Sequence, residues 1–207
     1  MERITALRRC LEADQLDAVL ISSYENWRYF SGFSGSHAYL LITTAGQILI
    51  TDPRYSEQAE LQAQGWQVIT HGLDPMPVLK SSLENSGAEV VGYETEKISD
   101  FEIRRLRDTL PGIEWKPMQD HGKQLRAVKD DVELSDLRQA IRIADQALEE
   151  WTGYLRPGMT ERQAAVELEY RLGRLGSEGP AFGTIIAAGE HGALPHAAPS
   201  DRTINPG

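Results

Sequence analysis

Two histidines near the end of the chain, His191 and His196, lie in "GEHGALPHAAPSD", a run of small residues and prolines. An imidazole donates or accepts a hydrogen bond and exchanges a proton near neutral pH, so a histidine held on such a loop has the chemistry of an acid, a base or an oxyanion donor. Two histidines five residues apart also suggest a metal pair. Off a helix they need not face one another, however, and two ligands are fewer than a stable site requires. His191 is therefore expected to be a loop residue at the edge of a pocket. Read alone, a lone loop histidine such as His196 is more often an ordinary surface side chain. Cys10 is the only cysteine. It has no electropositive neighbour in sequence and is expected to pack on an amphipathic helix rather than to react. "SGFSGS" (31–36) invites comparison with a phosphate-binding loop, but it lacks the lysine and leads into a strand, so a plain turn is expected. No Gly-x-Ser-x-Gly elbow is present, so a serine hydrolase mechanism has no support.

These residues must be positioned by the elements around them. Through about residue 120, helix and strand signals alternate. Ile4, Leu7 and Leu11 fall at helical spacing, and strands are expected in "DAVLI", "AYLLIT", "QILIT", "WQVIT", "EVVGYE" and "IEWKP". Thr44-Ala45-Gly46 suits a hairpin turn. Asp52-Pro53 reads as a helix start closed by Gly65, and Ser99 with Glu102 as a capping box. The pattern predicts an α/β domain over residues 1–121, with about six strands in a mixed sheet, mostly parallel apart from the hairpin, and helices on both faces. Residues 122–131 are polar and suit a connection. From 132 to 207 the signal is helical. Leu134, Leu137, Ile141, Ala144, Leu148 and Trp151 form one apolar face that needs covering. Pro157-Gly158 breaks that helix, and Thr160 with Gln163 caps the next, whose stripe is Ala165, Leu168, Leu172 and Leu175 before Gly176. Thr184 to Ala188 is expected to be a buried strand leading to the histidine loop. Trp27, Trp66, Trp115 and Trp151 are scattered and are expected in cores or interfaces.

Composition narrows the function classes. The 207 residues carry 21 Lys and Arg against 31 Asp and Glu, a net charge of −10. Dispersed acidity of this kind disfavours a phosphate backbone, so no nucleic-acid partner is expected. No apolar run approaches the roughly 20 residues of a membrane span. "MERITALRRCLEADQ" is charged throughout, unlike a secretory leader, and a cytoplasmic location is expected with no membrane partner.

"YENWRYFSGFSGSHAYLLITTAGQILITDPRYSEQA" resembles the N-terminal domain of the creatinase and prolidase group. "LRAVKDDVELSDLRQAIRIADQALE", "LRPGMTERQAAVELE" and "FGTIIAAGEHGALPHAAPSDRTINPG" resemble the first part of the α/β catalytic domain with the pita-bread fold. Within the group the chain is most similar to Xaa-Pro aminopeptidases and Xaa-Pro dipeptidases. The resemblance implies a proline-specific exopeptidase with two divalent ions (manganese, cobalt or zinc) and a metal-bridging hydroxide. It implies a proline-containing peptide as substrate and a homodimer as assembly. His196 is implied to be catalytic and substrate-binding, hydrogen-bonding the scissile amide or its tetrahedral intermediate. Phe182 is implied to line the proline pocket, although an ordinary core phenylalanine remains an equal reading. Arg54 and Tyr55 fit the group's Asp-x-Arg-Tyr, and an arginine paired with a nearby acid explains them equally well. The group's five metal ligands (two aspartates, a histidine and two glutamates) follow the Pro-His loop. Beyond His196 the only acid here is Asp201, which the pattern does not use. No metal is therefore expected on residues 1–207, and the polypeptide by itself is expected to be inactive. Two alternatives stay open: a creatinase-like amidinohydrolase that dispenses with metals, and a non-catalytic relative that binds peptides or proteins.

Overall fold

Strand β1 (Ala18–Ile21) is buried at all four positions and divides two cores, which is what a central strand of an α/β sheet requires. The computed structural model describes residues 2–206; the chain separates into two compact units, Met1–Val128 and Lys129–Gly207. The expected end points Met1 and Gly207 lie outside the described residues.

In the first unit six strands form one sheet in the order β4-β3-β2-β1-β5-β6. The other strands are β2 (Tyr39–Thr43), β3 (Gln47–Thr51), β4 (Gln67–Thr70), β5 (Val90–Glu94) and β6 (Glu114–Met118). All six expected strands are present, and the sheet is mixed. One detail differs: β2 runs antiparallel to β1 as well as to its hairpin partner β3, so only β1–β5, β3–β4 and β5–β6 are parallel. The hairpin is inserted between β1 and β4, and its first strand meets antiparallel neighbours on both sides.

Alternation along β1 assigns the two faces. Val19 and Ile21 join Leu7 and Leu11 of α1 (Glu2–Ala13), Trp27 and Phe30 of α2 (Tyr24–Ser31) and Ala59 of α3 (Ser56–Gln62). Ala18 and Leu20 join Leu79 and Leu83 of α4 (Met76–Ser86) and Ile103 and Leu106 of α5 (Asp100–Thr109). Helices therefore cover both faces. Cys10 lies on α1, partly buried, and burial raises its thiol pKa. "SGFSGS" is a turn: Gly32 takes a left-handed φ of 77° and caps α2 with a bond from its N–H to the Arg28 carbonyl. Asp52 caps a short 3₁₀ turn, Pro53–Tyr55, and its carboxylate accepts from both the backbone and the guanidinium of Arg54. Regular α-helix begins only at Ser56. The expected Ser99 and Glu102 capping box is present.

Residues expected as a connection hold α6 (His121–Ala127), in which His121 and Gly122 are buried. Gly122 is there because of what it touches. An added Cβ would sit 2.1 Å from Asn26 Oδ1, and the buried Asn26 amide donates to Glu94 Oε1 and Asp120 Oδ1. Glu94 also accepts from the backbone N–H groups of Ser22 and Ser23 at 2.6 and 2.8 Å, so one carboxylate at the end of β5 secures the start of α2.

In the second unit α7 (Asp131–Tyr154) and α8 (Glu161–Arg174) pack together, each opened by a capping box, Asp130 with Glu133 and Thr160 with Gln163. Ala147 is buried, and Trp151 Nε1 donates to the Ala164 carbonyl at 2.7 Å. The expected apolar stripe is only partly covered: Leu137, Ile141 and Leu148 remain 48, 58 and 52% exposed. The expected strand over 184–188 does not form. A strand needs a neighbouring backbone to pair with, and the bridging in this unit among the described residues is the isolated pair Thr160–Thr203. The segment is extended chain instead.

Candidate active-site loop

Residues 188–200 leave the α8 start and return to it, and a single carboxylate holds both ends. Glu161, the first residue of α8, has no exposed surface. Its Oε1 accepts from the N–H of Ala188 at 2.7 Å, and its Oε2 accepts from the N–H and Oγ of Ser200 at 3.0 and 2.6 Å. Nδ1 of His191 lies 3.0 and 3.2 Å from the two oxygens. These donors, the Ser200 hydroxyl first and the Ala188 N–H next, hold the Glu161 pKa down at about 2. Backbone bonds reinforce the closure: Glu161 N–H to the Arg202 carbonyl, Arg162 N–H to that of Ser200, Gly158 N–H to that of Ile204, and Ile204 N–H to that of Met159.

Within this frame a 3₁₀ turn, Gly189–Ala193, carries His191, and Leu194-Pro195 delivers His196. His196 is exposed, with no hydrogen-bond partner for its imidazole among the described residues. Its neighbour Ala197 is buried and anchors the backbone, its N–H donating to Leu194. Phe182 is 72% exposed, so in this structure it is not a core phenylalanine. Arg54 is engaged with Asp52 in the first unit, the acid-paired reading of that motif. Glu161 escaped the sequence reading, which credited Thr160 and Gln163 with the cap. An acid in the first turn of a helix is ordinary, so nothing in the sequence set Glu161 apart.

Among the described residues no three His, Cys, Asp or Glu side chains converge as a metal site. The described residues do not by themselves fit a divalent ion. No helix among the described residues is long and apolar enough to cross a membrane.

A six-stranded α/β unit followed by a helical pair and a clamped Pro-His loop defines a two-part α/β protein. The chain belongs to the creatinase/prolidase family: residues 3–128 match the Creatinase/Prolidase N-terminal domain, and residues 135–207 match metallopeptidase family M24. It is 30% identical over 207 residues to an Xaa-Pro dipeptidase of Pyrococcus horikoshii, covering 100% of this chain and 57% of that protein. An uncharacterised peptidase of Bacillus subtilis is also 30% identical, with 99% and 58% covered. Among solved structures, an Xaa-Pro dipeptidase from Bacillus anthracis superposes with a TM-score of 0.92 at 29% identity, over 99% of this chain and 57% of that one. An X-Pro aminopeptidase from Thermotoga maritima superposes with a TM-score of 0.84 at 36% identity, over 95% and 57%. The chain thus spans somewhat more than half the length of these relatives.

Proposed function

We propose that this chain serves a proline-specific exopeptidase that hydrolyses the Xaa-Pro bond of peptides with divalent metal ions, manganese, cobalt or zinc. The supporting observation is the clamped 188–200 loop bearing His196, in a chain whose two halves match a creatinase/prolidase N-terminal domain and an M24 peptidase in order. The relatives named as Xaa-Pro dipeptidases and X-Pro aminopeptidase support the substrate class. In this reading His196 is catalytic and substrate-binding: its free imidazole donates to the scissile amide or the developing oxyanion, and Pro195 with buried Ala197 limits its backbone freedom. Phe182 offers an exposed ring to the proline of the substrate. The metal ligands are supplied by residues other than these 207, so this polypeptide alone is inactive. The protein works in the cytoplasm as a homodimer.

The test is a chimera in which residues 1–207 replace the matching part of the Bacillus anthracis Xaa-Pro dipeptidase. It is expected to cleave Xaa-Pro dipeptides, and His196→Ala is expected to lower kcat at least about 100-fold with metal content intact. A folded, metal-loaded chimera without Xaa-Pro turnover overturns the reading, and an unchanged kcat removes His196 from the mechanism.

A further inference from the structure

We propose that Glu161 is a positioning residue that fixes His191 in the tautomer protonated at Nδ1, leaving His191 Nε2 as a directed proton acceptor on the loop that carries His196. An ionised carboxylate only accepts, so the Nδ1 atom within 3.0 and 3.2 Å of its oxygens must carry the hydrogen. Three other donors, from Ala188 and Ser200, converge on the same carboxylate and keep it ionised. A neutral imidazole with Nδ1 protonated has its lone pair at Nε2. That atom has no hydrogen-bond partner among the described residues, and the His191 side chain is 34% exposed, so the acceptor is open to solvent. A buried carboxylate that accepts from one ring nitrogen fixes the orientation of the ring and so aims the other nitrogen. The ring cannot swing away without breaking the bond that also accompanies the loop closure at Ala188. His191, expected to be a passive edge of the pocket, thus becomes a directed acceptor for an N–H or O–H group of a bound peptide, while His196 remains unconstrained by any partner.

The use of this acceptor in peptide handling rests on the exopeptidase reading; the tautomer does not. The experiment is therefore a long-range ¹H–¹⁵N correlation spectrum of the ¹⁵N-labelled 207-residue chain, taken above the imidazole titration, which needs no turnover. The expected result is a protonated Nδ1 and a bare Nε2 for His191, against mixed tautomers for exposed His196. In Glu161→Gln the His191 preference is expected to disappear, because an amide at that position presents its own donor to the loop. Should that variant fail to fold, Ser200→Ala removes one donor and leaves the carboxylate, and the His191 tautomer is expected to persist. Diethyl pyrocarbonate is expected to acylate His191 at Nε2 in the wild-type chain. A His191 protonated at Nε2 in the wild-type spectrum, a tautomer unchanged in folded Glu161→Gln, or a His191 inert to the reagent overturns the proposal.

Discussion

Replacing Gly122 by alanine should destabilise the first unit although the substitution favours helix. Alanine in place of a helical glycine normally gains up to about 1 kcal/mol. Here the new methyl would meet the Asn26 amide, with its Oδ1, Cγ and Nδ2 at 2.1, 2.4 and 2.6 Å, far inside contact distance. Asn26 is 2% exposed and has nowhere to move. To make room it must release Glu94 and Asp120, the two carboxylates to which it donates at 2.5 and 2.9 Å. Hydrogen bonds to charged groups contribute about 1.5–3 kcal/mol each, so losing both and subtracting the helix gain leaves a net cost of about 2–5 kcal/mol. Urea unfolding followed by circular dichroism measures it, with Gly153→Ala in α7 as the control. An added Cβ at Gly153 meets nothing within 4 Å, so that variant should be neutral or stabilised by up to about 1 kcal/mol. A Gly122→Ala chain as stable as wild type would refute the claim that Asn26 is fixed between two carboxylates.

Two further outcomes follow from titrating groups. The carboxyls of Asp52, held down by the Arg54 side chain, and of Glu161, held down by Ser200 and Ala188, both sit at about 2, below their ordinary values of 3.8 and 4.5. Because the folded pKa is the lower one, their stabilisation is complete above the unfolded values and is lost as pH falls from about 4.5 towards 2. Trp151 fluorescence should report progressive loosening of the second unit in that window, and Glu161→Gln, with no carboxylate to protonate, should flatten that dependence; an identical acid profile would count against the clamp. Cys10, its thiol pushed up by burial and by Asp14, should react with a disulfide reagent at pH 8 at least about 10-fold more slowly than glutathione, as expected for a packing thiol; parity would contradict that placement.

The first unit was legible because its signals are local. Six apolar runs, a Thr44-Ala45-Gly46 turn and a Ser99 to Glu102 box each dictate an element within a few residues. What was not legible depended on partners distant in sequence. Thr184 to Ala188 has the composition of a strand, but composition does not supply a neighbour to pair with. The direction of β2 against β1 is set by which strands the hairpin enters between. At the site, the Pro-His sequence drew attention to His196, whereas the clamp on its loop comes from Glu161, 35 positions upstream and indistinguishable in sequence from an ordinary first-turn acid. α6 was hidden because its buried residues are a histidine and a glycine, not an apolar stripe. His121 is held by Asp14 at 2.6 Å, a pairing across 107 residues.

The most direct measurement is hydrolysis of an Xaa-Pro dipeptide by residues 1–207 alone in manganese, with bound metal quantified on the same sample. No turnover above the metal-free blank and no stoichiometric manganese are expected, since no ligand set converges among the described residues. Manganese-dependent cleavage, or an ion held by side chains of this chain, would contradict the assignment of the metal ligands to residues outside it.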